Sequence, residues 1–319
     1  MSIAIIGGGF AGVATAWHLT HTYNFQVTLF DPAGIGGGPS GMAAGLLHPY
    51  AGAHAKLNWR GHEGMAASLK LLQRVPQAAQ NTGLLRPAFT KDQETDFALS
   101  AEKNSDVQWT SNSLVNKPGI FISNAWTVDC KKYLEGLWKD CPNATLKIEK
   151  IDHLDELEKF DVVVIATAFS ALEFANIKLT AVKGQLLQVE WPEDLPPLPF
   201  PISSQAYIVM QPDKKSCIIG STFEKGFSSP LPDIKKASAE LKPKYTQMIP
   251  GLENAKIIDC RAGVRAATPD HRPLIRQINA RTWIFTGLGS KGLLYHALIA
   301  SELAQQLSLS LKHAPRQQN

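Results

Sequence analysis

The sequence predicts a mixed α/β fold: a parallel sheet drawn from the start, middle and end of the chain, with antiparallel material inserted between. Three observations carry this. Residues 3 to 12 read Ile-Ala-Ile-Ile-Gly7-Gly8-Gly9-Phe10-Ala11-Gly12, an apolar strand followed at once by a G-x-G-x-x-G turn. Asp161 to Ala166 and Thr282 to Thr286 are apolar on both faces, as buried parallel strands are. Between these, Tyr207–Gln211 and Cys217–Ser221, joined by Pro212 to Lys215, read as a hairpin.

The opening turn is followed by a helix-compatible stretch, Val13 to Thr22, and a second strand, Val27 to Asp31, ending in an acid 19 residues past Gly12. That order is a Rossmann-like dinucleotide-binding unit. Gly7 permits the tight turn, Gly9 lets a pyrophosphate approach the backbone, and Gly12 lets the helix lie close to the strand. The helix N-terminus supplies unpaired N–H groups and partial positive charge, and Asp31 is placed to accept ribose hydroxyls. Gly34 to Gly45 is too rich in glycine for a regular strand and is expected to wrap a ligand. Arg60 to Val75 has helical spacing, with Met65, Leu69 and Leu72 on one face. Ile120–Ile122 and Thr127 read as extended, and Asp129 as the N-cap of a helix through Trp138. Ala144 to Ile151 reads as a strand, Lys178 to Trp191 as part of the antiparallel sheet, and Asp233 to Met248 as a polar helix. Pro192 to Pro201 reads as a surface connection. The last elements are the strand Thr282–Thr286, the turn Gly287-Leu288-Gly289-Ser290-Lys291-Gly292 and a helix to about Leu307.

The expected division is a discontinuous nucleotide-binding domain (1–48, 129–172 and 255–319) and a substrate domain (49–128 and 173–254). With 319 residues, 44% hydrophobic and 19% charged, the composition is that of an ordinary globular protein with a real core. No apolar stretch approaches membrane-spanning length, and the first strand is too short for a signal peptide. Cys130, Cys141, Cys217 and Cys260 are scattered, which suits reduced thiols in a cytoplasmic enzyme and argues against a metal site. A net charge of +4 permits an anionic substrate or RNA and demands neither.

The second glycine turn repeats the physics of the first. A second helix N-terminus aimed into one cleft stabilises negative charge, which a reduced flavin carries around N1 and O2 and a nicotinamide does not. FAD is therefore the expected cofactor.

Six segments sharpen this: the N-terminal turn; Ser40-Gly41-Met-Ala-Ala44-Gly45-Leu46-Leu-His48-Pro49; Asp161 to Ser170; Lys183-Gly184-Gln185; Gly263-Val-Arg265-Ala-Ala-Thr-Pro-Asp270; and the C-terminal glycine cluster. In them the chain resembles the D-amino-acid oxidase superfamily of FAD enzymes, which holds glycine oxidase and sarcosine oxidase. The last two segments most resemble the FAD oxidase domain of the bifunctional enzyme that makes 5-methylaminomethyl-2-thiouridine in tRNA; no methyltransferase domain is expected in these residues. The resemblance implies that Ser40, Gly41, Ala44, Gly45 and Leu46 lie beside the pyrophosphate and flavin, that the Ile151 backbone meets the adenine, and that Ala166 ends a strand at the cofactor. It implies that Arg265, set just after a strand, forks a substrate carboxylate, that Tyr207 lines the substrate cavity and that His48 touches flavin or substrate.

His54, Lys56, Trp59 and Arg60 form a candidate contact cluster. Lys235, Lys236, Lys242 and Lys244 share one helix where RNA contact is conceivable. The function expected is oxidation of the C–N bond of a small-molecule amine or amino acid. The alternatives are a tRNA wobble-uridine oxidase, with tRNA the less favoured partner, and a non-catalytic flavin-binding protein. Substrate, electron acceptor, covalent attachment of FAD and oligomeric state are left open.

Overall fold

The computed structural model describes residues 1–112 and 115–313. A six-stranded sheet has the order Ala144–Lys147, Gln26–Phe30, Ser2–Ile6, Val162–Ile165, Thr282–Thr286, Leu274–Gln277. The first five are parallel and the last is antiparallel to its neighbour. Early, middle and late segments thus meet in one sheet, as their two-sided apolar character demands. The helix Phe10–Tyr23 is buried along most of its length because Gly12, Ala14 and Ala16 let it pack closely. It lies against the final helix, Gly292–His313, and the two share a core with the helix Cys130–Lys139. Asp129 caps that last helix by accepting from the Lys132 N–H, at 3.1 Å.

An eight-stranded sheet carries the rest: Ile257–Ala267, Thr180–Glu190, Ser216–Gly220, Tyr207–Met210, Ile202–Ser203, Leu84–Pro87, Lys117–Ile122, Val107–Asn112. All its pairings are antiparallel except that of Ile202–Ser203 with Leu84–Pro87. The helix Ile234–Met248 covers it and is less polar than expected, since Ala237, Leu241, Tyr245 and Met248 form a buried stripe at helical spacing.

Several expectations are corrected. Arg265 does not follow a strand but lies within one, opposite Val182 in the register of Ile257–Ala267 with Thr180–Glu190. That strand pairs for its whole length with Thr180–Glu190 of the antiparallel sheet. The helix near residue 60 runs Gly61–Leu72 and packs on the final helix. Its buried face includes Gly64 and Ser68, the serine donating to the Leu293 and Leu294 carbonyls, whereas Leu69 is only partly covered. The strand expected to reach Ile151 stops at Lys147, and the final helix continues past Leu307 to His313. The helix Lys91–Lys103, capped by Thr90, escaped notice because it buries only Phe97 and Ser100.

Candidate active site

A cavity of about 840 Å³ opens between the carboxyl ends of the parallel strands and the face of the antiparallel sheet, where open α/β sheets bind ligands. Ile6, Phe30, Ala166 and Thr286 end their strands or follow them on one side, and Gly184, Tyr207 and Arg265 line the other.

At the first glycine turn, Gly7 has φ of +114°, and a Cβ there would stand 2.5 Å from the Ala166 carbonyl oxygen. A Cβ on Gly12 would run into the Gly7 carbonyl. Gly9 serves as N-cap without a side-chain cap, and the first helical turn carries no acid. Its one side-chain neighbour is Ser40, whose Oγ accepts the Phe10 N–H at 3.2 Å. The helix start is thus left open to an anion. Asp31 accepts the Gly8 N–H at 2.7 Å on one oxygen and the Ala33 N–H at 2.8 Å on the other, and these bonds fix a carboxylate that still has lone pairs for a ribose.

Gly7, Gly9, Phe10, Ala11, Asp31, Ser40, Ala44, Gly45, Leu46, Ile151, Ala166, Gly289, Ser290 and Gly292 all line the cavity. Four expected cofactor residues stand behind its wall. Gly8 holds Asp31, Gly12 meets the Gly7 carbonyl, and Gly41 lies on the Gly36 backbone. Lys291 is half-buried outside the lining, with burial lowering its pKa. In the second turn Gly289 has φ of +54° and donates its N–H to Ala266 O at 2.9 Å. The two turns meet where a Cβ on Gly292 would touch the Phe10 ring, at 3.0 Å. Two helix starts, a glycine cradle and an anchored ribose-type acid fit a dinucleotide with a charge-bearing ring, as FAD is.

At the other end, Arg265 Nη2 donates to Ser221 Oγ at 2.8 Å. Its Cζ lies 2.5 Å from where a Cβ on Gly184 would be, so that glycine is what makes room for the guanidinium. Among the described residues no carboxylate pairs with Arg265, and desolvation lowers its pKa while the Tyr207 hydroxyl opposes this. Burial pushes the Tyr207 hydroxyl well above the usual tyrosine value, against the pull of Arg265 and Ser221. A Cβ on Gly220 would stand 2.7 Å from the Tyr207 oxygen. His48 also lines the cavity; burial, with the nearby Arg86 charge, lowers its pKa to about 3, so the imidazole is neutral.

The loop cluster is engaged elsewhere: His54 pairs with Asp96 at 2.7 Å, and Arg60 with Glu63 and Glu302. Trp59 lies between Arg60 and Arg272, each 5.3 Å from its ring centroid. On the basic helix, Lys236 pairs with Glu224 and Lys244 with Glu240. Sequence reasoning missed Ser221, Arg86 and Thr167, all in the lining. Arg86 had a signal: a charge inside the apolar run Leu84-Leu85-Arg86-Pro87.

Fold and cavity fit a flavin-dinucleotide oxidoreductase built on a parallel sheet with an antiparallel sheet facing it. Residues 2–306 match the family described as DAO, FAD dependent oxidoreductase, and the chain belongs to that family. It is 26% identical to glycine oxidase of Bacillus subtilis over 315 residues, covering 85% of this chain and 82% of that one. It is 27% identical over 328 residues to the tRNA 5-methylaminomethyl-2-thiouridine biosynthesis bifunctional protein MnmC of Maricaulis maris, covering 96% of this chain and 52% of that one. The chain thus spans about half the length of MnmC. The crystal structure of glycine oxidase from Geobacillus kaustophilus superposes with a TM-score of 0.76 at 20% identity, covering 95% of this chain and 94% of that one. The chain is an FAD-dependent enzyme with a mixed α/β fold. Among the described residues no helix is long and apolar enough to cross a membrane.

Proposed function

We propose that the chain oxidises the C–N bond of an amino acid, its carboxylate held by Arg265. The observation that carries this is a guanidinium in the cofactor cavity with room cleared for it by Gly184 and no carboxylate partner among the described residues. When bound, FAD supplies a two-electron acceptor for the hydrogen on the carbon next to nitrogen. Arg265 offers a planar pair of donors that fixes the carboxylate and with it the orientation of that carbon. Ser221 fixes the guanidinium in turn, and Tyr207 closes the wall beside it. A neutral His48 does not repel a cation. The amine reacts in its neutral form and becomes an imine that water hydrolyses, so positioning supplies much of the rate. Glycine oxidase among the relatives supports the substrate class. The reading places the enzyme in the cytoplasm with reduced cysteines.

Arg265→Lys tests it. The variant should keep FAD and lose about tenfold to a hundredfold in kcat/KM for amino acids, the worth of a charge-assisted bidentate contact. Amines without a carboxylate should change far less. Equal losses for both classes, with FAD still bound, would return Arg265 to a structural role.

A second reading, removal of a carboxymethyl group from a tRNA wobble uridine, draws on the match with MnmC across 96% of this chain. Turnover of hypomodified tRNA in preference to free amino acids would favour it.

A further inference from the structure

The mechanism above leaves a second arginine unused. Arg86 stands in the strand Leu84–Pro87 and is 3% exposed, yet it lines the same cavity as Arg265. Its Nη1 donates to Tyr50 O at 2.7 Å and its Nη2 to Gly52 O at 2.5 Å. The Phe97 ring lies 5.5 Å below the guanidinium. A guanidinium has five N–H donors, so two bonds leave three, and Nε has no acceptor among the described residues. No carboxylate there pairs with it. Burial lowers its pKa to about 10, which leaves it charged at neutral pH.

An unpaired buried cation is costly, and a fold keeps one where something else supplies the counter-charge. The acids in the lining, Asp31, Glu149 and Glu173, follow elements of the nucleotide-binding part and do not serve it. His48 and Ser203 share the cavity lining with Arg86; His48 feels the Arg86 charge and is neutral, and its Nδ1 is buried without a partner among the described residues. A fixed positive charge, a neutral imidazole and a hydroxyl together make an anion pocket. The backbone bonds to Tyr50 and Gly52 hold the guanidinium rigid, so little ordering is needed when an anion arrives.

We infer that Arg86 binds a second carboxylate of the substrate, so that the amino acid taken by this cavity is a dicarboxylate spanning Arg265 and Arg86. This rests on the Arg265 reading. Two arginines lining one cavity, each without a carboxylate partner among the described residues, are both neutralised at once by a single dianion.

The test uses dicarboxylates that lack an amine, so that no oxidation is required. FAD-loaded protein is titrated with malonate through adipate and with monocarboxylates of matching length, and flavin absorbance is followed. At least one dicarboxylate should bind roughly tenfold or more tighter than its monocarboxylate counterpart. Arg86→Gln, which keeps N–H donors for the two carbonyls, should erase that advantage while shifting monocarboxylate binding by no more than about threefold. Arg86→Lys should keep part of it, since the charge remains and the planar fork is lost; it decides the matter should the glutamine variant lose FAD. Wild-type protein with no preference for dicarboxylates, or a preference that survives Arg86→Gln, overturns the inference. So does an Arg86 variant whose flavin spectrum changes without ligand, which would set the side chain against the cofactor. Silence from every carboxylate would sink Arg265 as well, a failure distinct from loss of the dicarboxylate advantage alone.

Discussion

The two glycine turns look alike as sequence, yet the glycines in them are required for different reasons. In the first, the demand is mainly space, joined at Gly7 by a φ of +114°: a Cβ on Gly12 would enter the Gly7 carbonyl, and one on Gly7 would stand 2.5 Å from the Ala166 oxygen. In the second, Gly289 has open space, its nearest neighbours at 3.9 and 4.0 Å, and what it requires is the left-handed backbone at φ of +54°. Gly287 combines both demands, with φ of +77° and Thr268 Cγ2 at 2.6 Å. A crowded glycine can be replaced only if backbone moves. An uncrowded one costs only the strain of its dihedral angle.

Gly12→Ala attacks the crowded turn and should have the largest effect. The helix Phe10–Tyr23 must lift from its strand, which moves the Phe10 N–H and Ser40 bond with it. Overpacking against backbone should cost above about 3 kcal/mol, and the purified protein should be colourless and melt well below wild type. Retention of FAD with an unchanged melting point would show that the first turn tolerates what its geometry forbids.

Acid attacks the contact between the turns. His296, on the final helix, lies 5.2 Å from Phe10 with the rings tilted at 47°, accepts the Tyr133 hydroxyl on Nε2 at 2.7 Å and sits 3.0 Å from Leu293 O through Nδ1. Both ring nitrogens are used in the neutral form, and burial lowers its pKa from 6.5 to about 4. The folded value lies below the unfolded one, so the unfolded chain takes the proton first as pH falls. Stability is therefore full above about pH 6.5 and is lost toward pH 4, by about 3 kcal/mol for a shift of this size. His18, on the first helix, is also lowered to about 4 by burial and adds to the same slope. Urea unfolding at pH 7, 6 and 5 should show the decline, and His296→Gln should lessen it, leaving the contributions of His18 and His48. A slope untouched by that substitution would assign the acid sensitivity elsewhere.

The contrast between the turns also marks how far the sequence could be read. Glycine spacing and two-sided apolar runs are local, so both turns and the central parallel strands were legible. So was the cap at Asp129, because one side chain sets it. The extent of the strand Ile257–Ala267 through Arg265 was not, since only Ala266 and Ala267 are buried and its alternation is blurred; it runs that far because Thr180–Glu190 pairs with it along its length. Arg265 was singled out through family likeness, but its setting was not legible. The room for it comes from Gly184 on the neighbouring strand, and its hydrogen bond from Ser221, 44 residues away in the chain. Arg86 illustrates the same limit. A charge among leucines signals an anomaly, but only the folded chain shows the cavity it faces.

The smallest effect belongs to Gly289→Ala. A left-handed alanine costs about 1 kcal/mol, and no atom has to move to admit the methyl group. The Gly289 N–H bond to Ala266 O at 2.9 Å depends on that backbone being kept and does not involve a side chain. The variant should melt a few degrees below wild type and remain yellow, with Gly287→Ala intermediate between it and Gly12→Ala because its methyl group meets Thr268. Absorbance after gel filtration and a thermal scan read both quantities from one preparation. Should Gly289→Ala lose its flavin while losing only about 1 kcal/mol of stability, the methyl group must be meeting the cofactor itself. Gly289 would then belong with Gly9, as a position kept bare for the ligand's approach, and the difference between the two turns would lie in where the crowding comes from.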